Sequence, residues 1–301
     1  MSQDDDAYRH CLLCERRCGI DRSLKAGYCG MTDEIYAARA ALHMWEEGPI
    51  SGTKGSGAVF FSGCSLRCIF CQNRNIAIGK TGKLISQDRL VEIYLELQEK
   101  GAHNINLVTG THFIPSIVQS LKTAKKKGLS IPIVYNTGNY ETEDALGMLD
   151  GLVDIYLPDV KYYSEDLSAQ FSNSKDYFKI AMRNVKIMLD QVGKTKFDEN
   201  SIMKSGLIVR HLVLPGHTND SKALIKSLYD EFGDDIYISI MSQYTPLLSF
   251  KDHKELSRKL TDREYDRVLD YALELGLNNA FVQEGHVASE SFIPEFDYEG
   301  L

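Results

Sequence analysis

The sequence predicts an α/β protein: a barrel of strand–helix units preceded by a small cysteine-rich, metal-binding module. Three observations predict it. From about residue 55 to about residue 285, short apolar runs alternate with stretches of helical periodicity, the pattern of βαβ units around a parallel sheet. Polar or conformationally special residues recur at the ends of the strand runs. All seven cysteines lie within the first 71 residues, which concentrates metal-ligand chemistry at the start of the chain.

The elements follow in order. Ala58, Val59, Phe60 and Phe61 form a first strand that leads straight into a cysteine loop. Leu90, Ile93, Tyr94 and Leu97 recur at i, i+3, i+4 and i+7 and mark one face of a helix. Residues 104–108 read as a second strand and 114–127 as a helix. Lys125, Lys126 and Lys127 close that helix before Gly128, because cations favour the C-terminal end of the helix dipole. A third strand covers 131–135, a short helix 142–149, a fourth strand 154–157 and a longer helix about 175–192. The longest strand, 206–214, is stopped by Pro215 and Gly216, and a helix over 220–232 leads to a sixth strand at 236–241. Thr261 and Glu264 make a capping box, and the helix they open runs to about 275, where Gly276 stops it. A last short strand falls at 280–282. A barrel of such units carries its reactive groups on the loops at the C-terminal strand ends. Cys64, Gly110, Asn136, Asp159, Arg210 and Gln243 fall at or near six successive ends, a distribution that core packing does not predict.

Composition excludes several classes. At 301 residues, with 43% hydrophobic and 25% charged residues, the usage is that of a globular protein. No stretch approaches the roughly 20 apolar residues of a membrane span, and the acidic start has no secretory apolar core. A formal net charge of −8 argues against broad binding to nucleic-acid backbones. An odd number of cysteines without an export signal points away from disulfides, toward reduced metal ligands in a cytoplasmic protein. The chain divides into a metal-binding module over 1–50, a barrel over 51–288 and a tail over 289–301.

Cys64, Cys68 and Cys71 form a C-x3-C-x2-C triplet. Three thiolates in eight residues reach one soft metal centre. A four-iron cluster usually takes four cysteines, so a triplet leaves one iron open to another ligand. Zinc takes paired C-x2-C knuckles or four ligands, which the triplet does not supply. The other four, Cys11, Cys14, Cys18 and Cys29, form C-x2-C-x3-C-x10-C. They suit a tetrahedral zinc staple or a second iron–sulfur cluster, and spacing does not separate the two.

The triplet, with Phe70 just before its last cysteine, resembles the radical SAM superfamily. That resemblance implies a partial (β/α)6 barrel. It also implies that the three cysteines hold a [4Fe-4S] cluster whose fourth iron binds S-adenosyl-L-methionine. Reductive cleavage of that cofactor would yield a 5'-deoxyadenosyl radical that takes hydrogen from a substrate. By the same resemblance, Phe70 lies near the adenine. Thr109, Gly110 and Thr111 stand where the family often has Gly-Gly-Glu to bind the methionine amino group; one glycine is kept and the glutamate is missing. Asp159-Val160-Lys161 looks like the Asp-Leu-Lys stretch of the pyruvate formate-lyase activating enzymes, and Arg210 matches an arginine that approaches the cofactor carboxylate. Asn136 occupies the third-strand region where those enzymes carry a cation-binding aspartate.

Gly52, Gly55, Gly57, the 104–109 run and the 154–159 run narrow the resemblance to homologues of pyruvate formate-lyase activating enzyme with an extra cysteine module. The reading is then a radical SAM enzyme acting on a protein or peptide, a glycine Cα as in glycyl-radical activation being one such target. Flavodoxin or ferredoxin is the implied electron donor. A radical SAM enzyme for a small molecule is the alternative, and a non-catalytic metal-binding scaffold is the reading of another class.

Overall fold

The strands in chain order are β1 (Ile35–His43), β2 (Ser56–Phe61), β3 (Lys83–Ile85), β4 (Ile105–Val108), β5 (Ile133–Thr137), β6 (Ile155–Pro158), β7 (Lys196–Phe197), β8 (Met203–Leu212), β9 (Tyr237–Met241) and β10 (Ala280–Val282). They come from a computed structural model that describes residues 7–283 and 294–301. β2, β4, β5, β6, β8, β9 and β10 pair in that order, all parallel. These are the seven expected strands. β1 and β3, which carry no strand signal in the sequence, extend the sheet on the β2 side by antiparallel pairing, and the two-residue β7 pairs with β8. The path runs from β10 to β3 without closing on itself, so the barrel is partial.

Helices separate the parallel strands: Gln87–Glu99, Ile114–Lys126, Glu143–Gly147, Glu165–Ser172, Tyr177–Val192, Thr218–Phe232 and Asp262–Glu274. Leu90, Ile93, Tyr94 and Leu97 all turn inward, as their spacing requires. Thr261 accepts the Glu264 N–H while the Glu264 side chain returns to the Thr261 backbone, so the expected capping box is present. The helix Glu165–Ser172 was not expected; Ser164 caps it, its hydroxyl accepting from Asp166 and Leu167. No helix among the described residues is long and apolar enough to cross a membrane.

Register places the site. Val108 faces Asn136, Asn136 faces Leu157, and Asp159 bridges to Arg210 just beyond β6. The C-terminal ends of the central strands therefore bring Thr109, Asn136, Asp159 and Arg210 to one rim. Of the tail, residues 294–301 run along β1: the Ala40 N–H donates to the Glu299 carbonyl at 2.8 Å, and Arg39 pairs with Asp297 at 2.6 Å. Phe296 packs edge-on against Phe60, and Phe292 and Ile293 lie outside the described residues.

Candidate metal and cofactor site

The cysteine loop begins where β2 ends. At Gly63 the backbone has φ 90°, and a Cβ there would lie 2.4 Å from Met31 Cγ and 2.9 Å from the Cys29 carbonyl oxygen. Only glycine lets the chain turn in that space. Cys64, Cys68 and Cys71 then line one cavity of about 240 Å³, together with Phe70. The Phe70 ring stands edge-on to Tyr162 and Phe171 and tilted against Tyr244, so three aromatic side chains fix its orientation against the last cysteine. Ser172 donates its hydroxyl to Cys68 Sγ at 3.0 Å, and Tyr162 shares a hydrogen bond with the same hydroxyl.

The facing wall is polar. Asp159 accepts from Lys161 Nζ at 2.5 Å and from Arg210 Nε at 3.0 Å, and Arg210 Nη2 donates to Asn136 Oδ1 at 2.6 Å. Burial alone would raise the Asp159 carboxyl, but Arg210 and Lys161 hold it below its ordinary value. Burial opposes the Lys161 ammonium, yet Asp159 and then Cys68 raise its pKa. Thr109 completes this wall with φ 59°. A β-branched residue in the left-handed region is strained, and the strain sits where a loop meets the cavity.

Gly110 and Thr111 are not among the lining residues. Thr111 turns away and donates its hydroxyl to Glu141 Oε1 at 2.7 Å. Gly110 is packed against the next helix, where a Cβ would meet Ile117 Cδ1 at 2.6 Å. His112 and His211 are likewise core residues. His112 Nε2 lies 2.6 Å from the Ser62 carbonyl, and His211 bonds Val160 and Ser221.

One wall residue carries no signal in the sequence. Glu46, on the segment after β1, accepts from Asn106 at 3.1 Å, from Asn136 at 3.3 Å and from Arg210 Nη1 at 3.2 Å. Burial raises its carboxyl, with Arg210 opposing. Its neighbours Trp45 and His43 also line the cavity. No local spacing announces Glu46, because its partners lie on three distant strands.

The donor set fits a thiolate-bound cluster. Burial first, then the Cys68 and Cys64 thiolates, push the Cys71 thiol up to about 12. Burial and Cys68 raise Cys64 in the same way. Three thiolates in one buried wall therefore repel one another unless a cationic centre takes them. Among the described residues no three His, Cys, Asp or Glu side chains converge on a single ion. A four-iron cluster makes no such demand, because each cysteine binds a different iron. The facing wall holds amide, carboxylate and guanidinium groups that match an amino acid's ammonium and carboxylate.

The N-terminal cysteines lie over the same end of the sheet. Cys11 and Cys29 are buried, Cys14 and Cys18 half-buried. Cys14 forms an isolated bridge to Glu141, and burial followed by the other three thiolates raises its thiol to about 12.

Known proteins share the fold of this chain. The family model of the radical SAM superfamily matches residues 58–228, more than half of the chain. An uncharacterized protein of Methanocaldococcus jannaschii is 28% identical over 277 residues, which cover 90% of this chain and 76% of that protein. Among solved structures, Streptococcus suis SuiB bound to the precursor peptide SuiA aligns with a TM-score of 0.51 at 14% identity, covering 74% of this chain and 47% of SuiB. SuiB bound to S-adenosylmethionine aligns with the same TM-score at 13% identity, covering 74% of this chain and 49% of SuiB. This chain spans about half the length of SuiB, and the likeness is one of fold.

Proposed function

This chain belongs to the radical SAM superfamily and is a radical SAM enzyme, and we propose that it abstracts hydrogen from a protein or peptide substrate. Membership implies a [4Fe-4S] cluster and S-adenosyl-L-methionine, and it requires a one-electron donor. When bound, that pair supplies the reductive cleavage of the sulfonium and the radical that takes the hydrogen atom. We assign Cys64, Cys68 and Cys71 to the cluster. Phe70, Thr109, Asn136, Asp159, Lys161 and Arg210 then line the cofactor's place. Gly110 and Thr111 act from behind this wall, Gly110 by letting the loop pack close and Thr111 through Glu141. A flavodoxin or a ferredoxin fits the donor role.

The chain's own task is positioning. Arg210 is held by Asp159, Asn136 and Glu46 at once, so its guanidinium cannot rotate freely when a carboxylate approaches. The aromatic packing around Phe70 keeps water from the thiolate wall. One observation favours an extended substrate over a compact one. A second cavity of about 480 Å³ adjoins the first, sharing Phe70, Cys71, Gln72 and Pro294. It reaches outward past Leu247, Leu248 and Phe250 to the surface. Two adjoining cavities, one lined by the three cysteines and the other reaching the surface, suit a peptide segment.

The test is isotope transfer. Reconstituted, reduced enzyme is given the cofactor with a deuterated peptide library or deuterated small metabolites. The proposal expects deuterium in the released 5'-deoxyadenosine from the peptides. Label arriving from the metabolites alone would instead support the small-molecule reading.

A further inference from the structure

The four N-terminal cysteines stand outside that cavity, and their surroundings carry an assignment of their own. The buried Cys29 accepts the Cys64 N–H at its carbonyl, 3.3 Å away. The last cysteine of the module and the first of the triplet are thus joined by one hydrogen bond. Met31 fills the space beneath the loop, so that a Cβ on Gly63 or Gly79 would come within 2.4 or 2.5 Å of its side chain. Arg16, between Cys14 and Cys18, donates to the carbonyls of Ser65, Ser172 and Asn173. One module side chain therefore grips both the triplet loop and the turn whose Ser172 hydroxyl reaches Cys68.

Arg22 indicates what the module holds. Its side chain is 0% exposed. It donates to the carbonyls of Met31, Thr32 and His112, and Nη1 lies 3.9 Å from Cys11 Sγ. Among the described residues, no carboxylate is a hydrogen-bond partner of Arg22. A guanidinium does not lose its proton inside a protein, and a buried charge without compensation is costly. Four neutral thiols offer no counter-charge. Four thiolates around a divalent ion or a four-iron cluster leave a net charge of about −2 beside Cys11.

We propose that Cys11, Cys14, Cys18 and Cys29 bind one dianionic tetrathiolate metal centre, compensated by Arg22, and that this centre fixes the Cys64–Cys71 loop in the form that accepts its own cluster. The inference rests on the reading of the triplet as a cluster site. Among the described residues no three such side chains converge on a single ion, so a second four-iron cluster, whose irons each take one cysteine, fits the thiols as placed, whereas a single zinc ion requires them to draw closer; metal analysis separates the two. The full-length protein, reconstituted anaerobically, is expected to hold about four irons and one zinc, or about eight irons, per chain.

The variants then divide the sites. Cys68→Ser is expected to lose the triplet iron and keep the module's metal; if it keeps all its iron, the triplet reading fails instead. Cys14→Ser, which does not touch the triplet loop, is expected to lose the module's metal and to release triplet iron to a chelator about 10-fold faster. Arg22→Met keeps all seven thiols and is expected to weaken the module's metal about 10-fold, with Arg22→Lys recovering part of it. If Cys14→Ser does not fold, the Arg22 pair decides. The proposal is overturned if the wild type binds no metal beyond the triplet's iron. It is equally overturned if Arg22→Met holds its metal as tightly as the wild type, or if a folded Cys14→Ser releases triplet iron at the unchanged rate.

Discussion

Arg210 shows how tightly the site depends on single side chains. It joins Asp159, Asn136 and Glu46, and removing it leaves two buried carboxylates short of a partner. Arg210→Met is expected to lower unfolding stability by about 3–5 kcal/mol, read by denaturant titration, and to weaken cofactor binding. Ser172→Ala removes the hydroxyl that donates to Cys68 Sγ; an outer contact of this kind is expected to change iron retention by about 10-fold, measured as chelator release. His112 gives a pH signature. Burial first, then Arg22, lower its pKa to about 3, from 6.5 in the unfolded chain. Between those values the unfolded chain binds the extra proton, so stability falls as pH drops from about 6.5 to about 3, on the order of 1.4 kcal/mol per pH unit. Thermal melts across that range check it, and a His112→Gln variant is expected to show a flatter profile. The cysteines were legible in the sequence because ligands to one centre can be packed within eight residues. Glu46 was not, since its partners Asn106, Asn136 and Arg210 lie 60, 90 and 164 residues away.

At the scale of elements, the parallel strands announced themselves because strands buried on both faces read as continuous apolar runs. β1 did not. Its Ala37, Ala38, Ala40 and Ala41 are buried, yet alanine marks neither a strand face nor a helix face. The strand exists because β2 offers it an edge, and its antiparallel register is a tertiary fact. The helix Glu165–Ser172 carries no clear sequence signal for a related reason, as eight residues give too few turns for a periodicity. β8 shows an element constrained at one point. Gly206 has φ 124°, and a Cβ there would fall 2.4 Å from Thr195 Oγ1 and 2.5 Å from Thr195 Cα. Gly206→Ala is expected to cost about 1–3 kcal/mol, measured by chemical denaturation. A result within error of the wild type would mean that β8 and the Thr195 turn can separate freely.

For the molecule as a whole, the arrangement is a stack. The open sheet presents its C-terminal strand ends, the triplet loop lies across them, and the N-terminal module covers that loop through the Cys29–Cys64 bond and Arg16. The alternation of strands and helices foretold the sheet. The packing of the module onto the triplet was not legible, because it depends on contacts between segments that share no periodicity. Two cysteine sets that the sequence shows as separate motifs are one continuous structure at the mouth of the barrel. A triplet cluster with one iron left open for the cofactor is the proposal on which the rest depends. The direct measurement is the yield of 5'-deoxyadenosine from anaerobically reconstituted, reduced protein, wild type beside Cys68→Ser. An open iron predicts formation by the wild type, abolished in the variant; a wild type loaded with iron that forms none, or a variant that forms as much, contradicts it.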